Sequence, residues 1–150
     1  MDLKTDRAQR AKELFENGCN CSQAVLLAFS DVTGLENETA LKIASSFGGG
    51  MGRMREVCGA VSGALMVLGI SKGYSDLSNT DAKKAHYALV REFANRFKEE
   101  NGSIICRELL SGVKTSVGGV PEERNDTYYK KRPCSELCFS AAKITEELLK

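Results

Sequence analysis

The sequence predicts an all-α protein, a compact bundle of six to seven helices around a buried central helix at about residues 57–70. Three observations predict it. Apolar residues recur at helical spacing along most of the chain. No alternating segment of useful strand length and no internal repeat is present. The run Val57-Cys58-Gly59-Ala60-Val61-Ser62-Gly63-Ala64-Leu65-Met66-Val67-Leu68-Gly69-Ile70 is almost continuously apolar, with only Ser62 polar between Cys58 and Gly69. A helix apolar all round is expected to be buried by its neighbours, and this one is too short to span a bilayer, which takes about 20 residues. Gly59, Gly63, Ala60 and Ala64 form strips of small residues at i, i+4 spacing. Glycine costs roughly 1 kcal/mol in helix propensity, so another backbone is expected to pack closely on that face.

The remaining elements follow from periodicity and caps. Ala8, Ala11, Leu14 and Phe15 predict a helix from about Thr5 to Asn17, with Gly18 as its C′ residue. A second begins near Asn20 to Ser22 and carries apolar residues through Val32 before Gly34; its run at 25–29 also fits a short buried strand. A third spans about Asn37 to Phe47, with Asn37 or Thr39 as cap and Gly48-Gly49-Gly50 as its stop. Asn79, Thr80 and Asp81 open the longest helix, to about Glu100, with Ala82, Leu89, Val90, Phe93 and Phe97 on one face. Ser103 caps a short helix through Leu110, placing Cys106 near its N3 position. Residues 111–133 have no convincing period and are punctuated by Gly118-Gly119, Pro121 and Pro133; a loop of that length is usually functional or mobile. Pro133 precedes a last helix, Cys134 to Leu149, with Leu137, Ala141, Ile144 and Leu148 as its apolar stripe.

At 150 residues the chain is expected to form one domain, 1–150, with a real core. Its net charge of +1, without a basic block, gives no electrostatic footprint for nucleic acid, and the absence of tryptophan argues against base stacking. The N-terminus is polar and lacks the apolar region of a signal peptide, so the expected location is the cytoplasm and the protein is not expected to be membrane-embedded. In that reducing compartment six cysteines point to metal binding or redox chemistry rather than to a disulfide framework.

Cys21, Cys58, Cys106 and Cys134 each fall in the first turn of a different predicted helix. A helix N-terminus presents unpaired N–H groups and a partial positive charge, which favour thiolate. Arg53 and Arg55 precede Cys58, Arg107 follows Cys106, and Lys130, Lys131 and Arg132 precede Cys134. Space-filling is the competing explanation for any one of them, because cysteine is among the most buried residue types. There is no CxxC, the thioredoxin and zinc-ribbon spacing. Cys19 and Cys21 form CxC, and Cys134 and Cys138 are one helical turn apart; core filling suits Cys138, and Cys19 is expected to be an exposed neighbour of Cys21. Cys58, with both dipole and arginines acting on it, is expected to have the lowest thiol pKa.

These residues resemble the C-GCAxxG-C-C family of redox-active proteins. The motif is Cys58-Gly59-Ala60-Val61-Ser62-Gly63, preceded by Asn20-Cys21-Ser22-Gln23-Ala24-Val25 and by Phe47-Gly48-Gly49-Gly50-Met51-Gly52, and followed by Cys106-Arg107-Glu108-Leu109-Leu110. The resemblance implies Cys134 rather than Cys138 as fourth cysteine, from its spacing to Ala141-Ala142, and it implies a redox role. Cys19 and Cys138 lie outside the pattern.

Three functions are compatible with these residues. In thiol–disulfide exchange or electron transfer, Cys58 attacks an oxidised substrate and a second of Cys21, Cys106 and Cys134 resolves the mixed disulfide; the partner is a redox protein or a small thiol or disulfide. Alternatively the same four cysteines hold an iron–sulfur cluster or zinc. The third is a non-catalytic helical binding or scaffold protein, and a homo-oligomer is compatible with all three. Gly48 to Arg53 is either an anion-binding nest with Arg53 as clamp, lacking the GK[ST] of a P-loop, or a tight connection forced by close packing, the preferred alternative. His86 is either a proton donor and acceptor for a thiol or a boundary residue. Tyr128-Tyr129 either closes over a site or is an exposed pair, and Glu99-Glu100 is a solvated helix end.

Overall fold

The computed structural model describes residues 6–111, 124 and 133–150. Apart from the single turn Gly48–Met51, whose Gly49 and Gly50 are left-handed, eight α-helices are described: α1 (Arg7–Glu16), α2 (Cys21–Ala28), α3 (Ser30–Thr33), α4 (Asn37–Ala44), α5 (Gly59–Lys72), α6 (Thr80–Asn101), α7 (Cys106–Leu109) and α8 (Cys134–Leu148). A 3-10 turn at Ser45–Phe47 extends α4, and no strand is present among the described residues beyond one isolated antiparallel bridge, Val57 with Ile105. The protein is therefore all-α, as the periodicity predicts. None of the described helices is long and apolar enough to cross a membrane.

Side-chain caps explain the starts of α1, α2 and α6. Asp6 accepts from the Gln9 amide at the head of α1, and Asn79 from the Ala82 amide at the head of α6. Asn20 and Gln23 form a reciprocal capping box on α2, at 2.8 and 3.0 Å. Two expected caps differ. Glu36, not Asn37 or Thr39, is the N-cap of α4, without a side-chain bond. Ser103 does not cap α7, whose N-cap is Ile105: its hydroxyl accepts from the Ile105 amide and donates to Glu108, so Cys106 stands at N1 rather than N3.

The run at 25–28 is helical and Phe29 is a turn, so the segment is not a strand, and α2 breaks at Phe29 instead of continuing to Val32. Phe29 is fully buried, and α3 then closes on Gly34 in the left-handed region at φ +70°. The core gathers Phe15, Leu26, Phe29, Val61, Val67, Leu68, Phe93, Phe97 and Ile144. Arg7 pins α1 to two other elements through Asp31 and Glu146.

Helix α5 is the central element, packed on α2, α8 and α6. It is not enclosed all round. Gly59, Ala60, Val61, Gly63, Ala64, Val67 and Leu68 are buried, whereas Ser62, Leu65, Met66 and Gly69 form a partly open stripe ending at exposed Ile70. The reason lies in α6, which buries only Phe93 and Phe97; its Ala82, Leu89 and Val90 are part-covered, so its N-terminal half shields little. The small-residue strip does have its partner. A Cβ on Gly63 would stand 2.6 Å from the Ser22 carbonyl oxygen, and one on Gly59 would stand 3.1 Å from both the Cys21 Cβ and the Ser22 amide. The first turn of α2 thus crosses α5 at the two glycines of the CGAxxG motif.

Candidate functional site

Each motif cysteine stands at a helix start. Cys21, Cys106 and Cys134 are the first residues of α2, α7 and α8, and Cys58 is the N-cap of α5. The structure brings the four together: Cys21, Cys58, Cys106 and Cys134 all line one cavity of about 50 Å³, with Phe15, Leu110 and Leu137 among its apolar walls. That volume is ample for water, which needs roughly 10–15 Å³. Three of the cysteines are 8% exposed and Cys58 is 3% exposed, so the cavity wall is thiol-lined but nearly closed.

Backbone contacts fix this arrangement. The Gly59 and Gly63 crossing sets Cys21 against the start of α5. Across the Val57–Ile105 bridge, the Cys58 amide donates to the Ile104 carbonyl at 2.8 Å and the Cys106 amide to the Glu56 carbonyl at 2.6 Å, which ties two cysteine-bearing starts to one another. The Gly48–Gly52 connection then backs onto Cys106: a Cβ on Gly50 would stand 2.8 Å from the Cys106 Cβ and 2.6 Å from the Glu56 amide.

That connection is a left-handed turn. Gly49, Gly50, Met51, Gly52 and Arg53 have φ between +59° and +70°, and Arg55 has φ +61°. Successive left-handed residues cost roughly 1–2 kcal/mol each outside glycine, which explains the glycine content. The amides of Gly52, Arg53, Met54, Arg55 and Glu56 bond to carbonyls of Gly48, Gly49, Gly50 and Met51. These amides serve the turn itself, so the segment is a tight connection rather than an anion nest.

The arginines act at other places than their sequence positions suggest. Arg55, 4% exposed, donates from Nη1 to the Cys106 sulfur at 3.8 Å, so the cation expected beside Cys58 lies against Cys106. Arg107, expected to act on Cys106, instead pairs with Glu56 and donates to the Arg55 carbonyl. Cys58 does not have the activated thiol expected of it. Burial pushes its thiol up to about 12, against the opposing pull of the Ala60 and Val61 amides, with Cys134 and Cys106 adding to the rise. Desolvation outweighs the helix terminus here. The hydrogen bond with Cys134 favours the thiolate of Cys21, yet the bond with Cys138, burial and the thiols of Cys138 and Cys58 outweigh it, leaving Cys21 well above the ordinary value.

Two residues at or beside the site lie outside the sequence reading's candidate set: Arg124, which it does not name, and Cys138, which it assigns to core filling. Arg124 lines the cavity, places its guanidinium 4.3 Å over the Phe15 ring, and donates to the carbonyls of Phe15 and Cys19. It comes from the aperiodic stretch, where no spacing marks it. Cys138 is fully buried and its sulfur lies 3.9 Å from the Cys21 carbonyl oxygen. Its contact with Cys21 crosses between elements, which helix periodicity alone does not show. Cys19 is half-buried rather than exposed, outside the cavity lining; burial raises its thiol and Arg124 opposes this.

His86 packs edge-on to Tyr74, with centroids 6.3 Å apart, and is not among the cavity's lining residues, so it is a boundary residue of α6. Tyr128-Tyr129, Lys130, Lys131, Arg132 and most of the loop expected at 111–133 lie outside the described residues. All six cysteines are free thiols, and among the described residues no group of three or more His, Cys, Asp or Glu is arranged to hold a metal ion.

Comparison with curated proteins and with solved structures gives no match. A family model matches residues 19–148, from the cysteine before α2 to the end of α8, and so spans every residue lining the cavity except Phe15 of α1. On that match, and with its four motif cysteines on one cavity, the chain belongs to the C-GCAxxG-C-C family, described as putative redox-active proteins.

Proposed function

We propose that this chain performs thiol–disulfide exchange, with Cys21 and Cys134 as the pair that alternates between dithiol and disulfide. The observation that carries this reading is that both cysteines begin their helices, α2 and α8, at the wall of one shared cavity, where the Cys134 side chain acts on the Cys21 thiol. One thiolate of the pair attacks a sulfur of a substrate disulfide RS–SR, forming a mixed disulfide and expelling RS⁻, which takes up a proton. The second sulfur attacks the protein sulfur of the mixed disulfide, releasing the second RSH and leaving Cys21–Cys134 oxidised. Cys106 is held against the Arg55 guanidinium, a cation placed to match a sulfur anion there. Cys58, with its thiol raised to about 12 by burial, is poorly suited to be the nucleophile at neutral pH.

Iron and zinc are measured on anaerobically purified protein, followed by disulfide mapping after equilibration with oxidised and reduced dithiothreitol. Metal-free protein in which Cys21 enters a reversible intramolecular disulfide, held as Cys21–Cys134 in Cys138→Ser, is the expected result. Near-stoichiometric iron or zinc would overturn it in favour of a four-thiolate site built on Cys21, Cys58, Cys106 and Cys134, a donor set that suits those metals.

A further inference from the structure

Cys138 lies outside the four-cysteine pattern, yet it touches the reacting pair. It sits on α8 one turn after Cys134, with no exposure to solvent, and its sulfur is 3.9 Å from the Cys21 carbonyl oxygen. The Cys21 thiol is influenced by the thiols of both Cys134 and Cys138, so one sulfur of α2 is placed near two sulfurs of α8. Cys134 is at the cavity wall, whereas Cys138 is not among its lining residues.

We infer that Cys138 is an internal resolving thiol, which moves the disulfide from Cys21–Cys134 to a buried Cys21–Cys138 bond. The inference rests on the exchange reading above. The Cys138 sulfur, as its thiolate, attacks the Cys21 sulfur; the Cys21–Cys134 bond breaks, the Cys21–Cys138 bond forms, and Cys134 leaves as the thiolate. The proton lost by Cys138 ends on Cys134, and no electrons enter or leave, so the step is an isomerisation needing no further oxidant. A spacing of one helical turn brings two cysteine Cα atoms close to 6 Å apart, within the reach of one partner sulfur. The consequence is a protected disulfide in the core and a regenerated Cys134 thiol at the cavity.

The test is oxidation of the full chain with diamide, followed by alkylation under denaturing conditions and disulfide mapping, for wild type, Cys134→Ser and Cys138→Ser. Wild type is expected to give Cys21–Cys138 with Cys134 alkylated, Cys134→Ser to give Cys21–Cys138, and Cys138→Ser to stop at Cys21–Cys134. Wild type that forms Cys21–Cys134 while Cys134→Ser leaves Cys138 fully alkylated overturns this inference and leaves the exchange reading standing. Wild type in which Cys21 enters no disulfide overturns both. Thermal melts of the reduced variants verify folding, and Cys138→Ala replaces Cys138→Ser if the buried hydroxyl prevents it.

Discussion

A Cβ on Gly63 would stand 2.6 Å from the carbonyl oxygen of Ser22, so α2 and α5 cross with backbone against backbone. Gly59 makes the same crossing at Cys21. The two glycines of the motif are therefore what places the first cysteine beside the second. Gly63→Leu is expected to destabilise the protein by at least the roughly 1–3 kcal/mol typical of overpacking, a fall in Tm of about 2–4 °C for each kcal/mol. An unchanged Tm would mean that the helices do not meet there.

The left-handed turn invites a comparison of two glycines. Gly50→Ala adds a Cβ that collides with the Glu56 amide and the Cys106 Cβ, at φ +69°. Gly52→Ala, at φ +59°, meets nothing within 4 Å. The second should cost only the left-handed penalty of roughly 1–2 kcal/mol, and the first clearly more, with a changed alkylation rate at Cys106. Chemical denaturation of both variants decides it; equal losses would separate the turn from the cysteine it backs.

Much of this was legible in residue order. Helix starts at Asn20, Asn79 and Pro133 followed from cap and breaker chemistry, and those signals put Cys21 and Cys134 at the first turns they occupy. The demand of Gly59 and Gly63 for a close neighbour was equally visible, though not that the neighbour is Cys21-Ser22. What sequence did not carry is direction. Arg55 is near Cys58 along the chain, but its positive φ and the Val57–Ile105 bridge deliver it to Cys106. Nor does sequence show depth: the helix terminus acting on Cys58 was apparent, whereas the burial that overrides it exists only once α2, α7 and α8 have closed around it.

Arg55 gives a direct test of the cation at Cys106. Replacing the guanidinium by an uncharged chain, Arg55→Met, should slow alkylation of Cys106 near neutral pH by about tenfold, equivalent to roughly 1.4 kcal/mol of lost charge stabilisation. Arg55→Lys should retain part of the rate. Cys58 should stay slow in all three proteins. Peptide-resolved alkylation kinetics read each cysteine separately, and an unchanged Cys106 rate in Arg55→Met would mean that the contact at 3.8 Å has no electrostatic consequence.

Asn20 caps the helix that begins with Cys21. Asn20→Ala removes the bond from the Gln23 amide and ends the reciprocal box, at an expected cost of about 1 kcal/mol. Because Cys21 is the first helical residue, fraying should also weaken its contact with Cys134, so disulfide formation between them should slow. Loss of stability with unaltered pairing kinetics would show that the Gly59 crossing alone holds Cys21 in place.

The buried thiols make stability fall on the alkaline side. Cys58 is raised from 9.0 to about 12 by burial, Cys138 is raised by burial too, and Cys21 is raised despite its bond with Cys134. Above the ordinary value the unfolded chain releases these protons while the folded chain keeps them, so each proton released shifts the balance toward unfolding. Below it both states hold the protons and the thiols contribute no pH dependence. For each such thiol the slope approaches about 1.4 kcal/mol per pH unit once the unfolded form is ionised. Denaturant titrations of reduced protein between about pH 8 and about pH 10 should therefore show a falling midpoint, and Cys58→Ala should flatten that fall even if its starting stability is lower. A midpoint independent of pH across this window would mean that the cysteines ionise as readily folded as unfolded, and that the thiols at this cavity are more open to water than their burial implies.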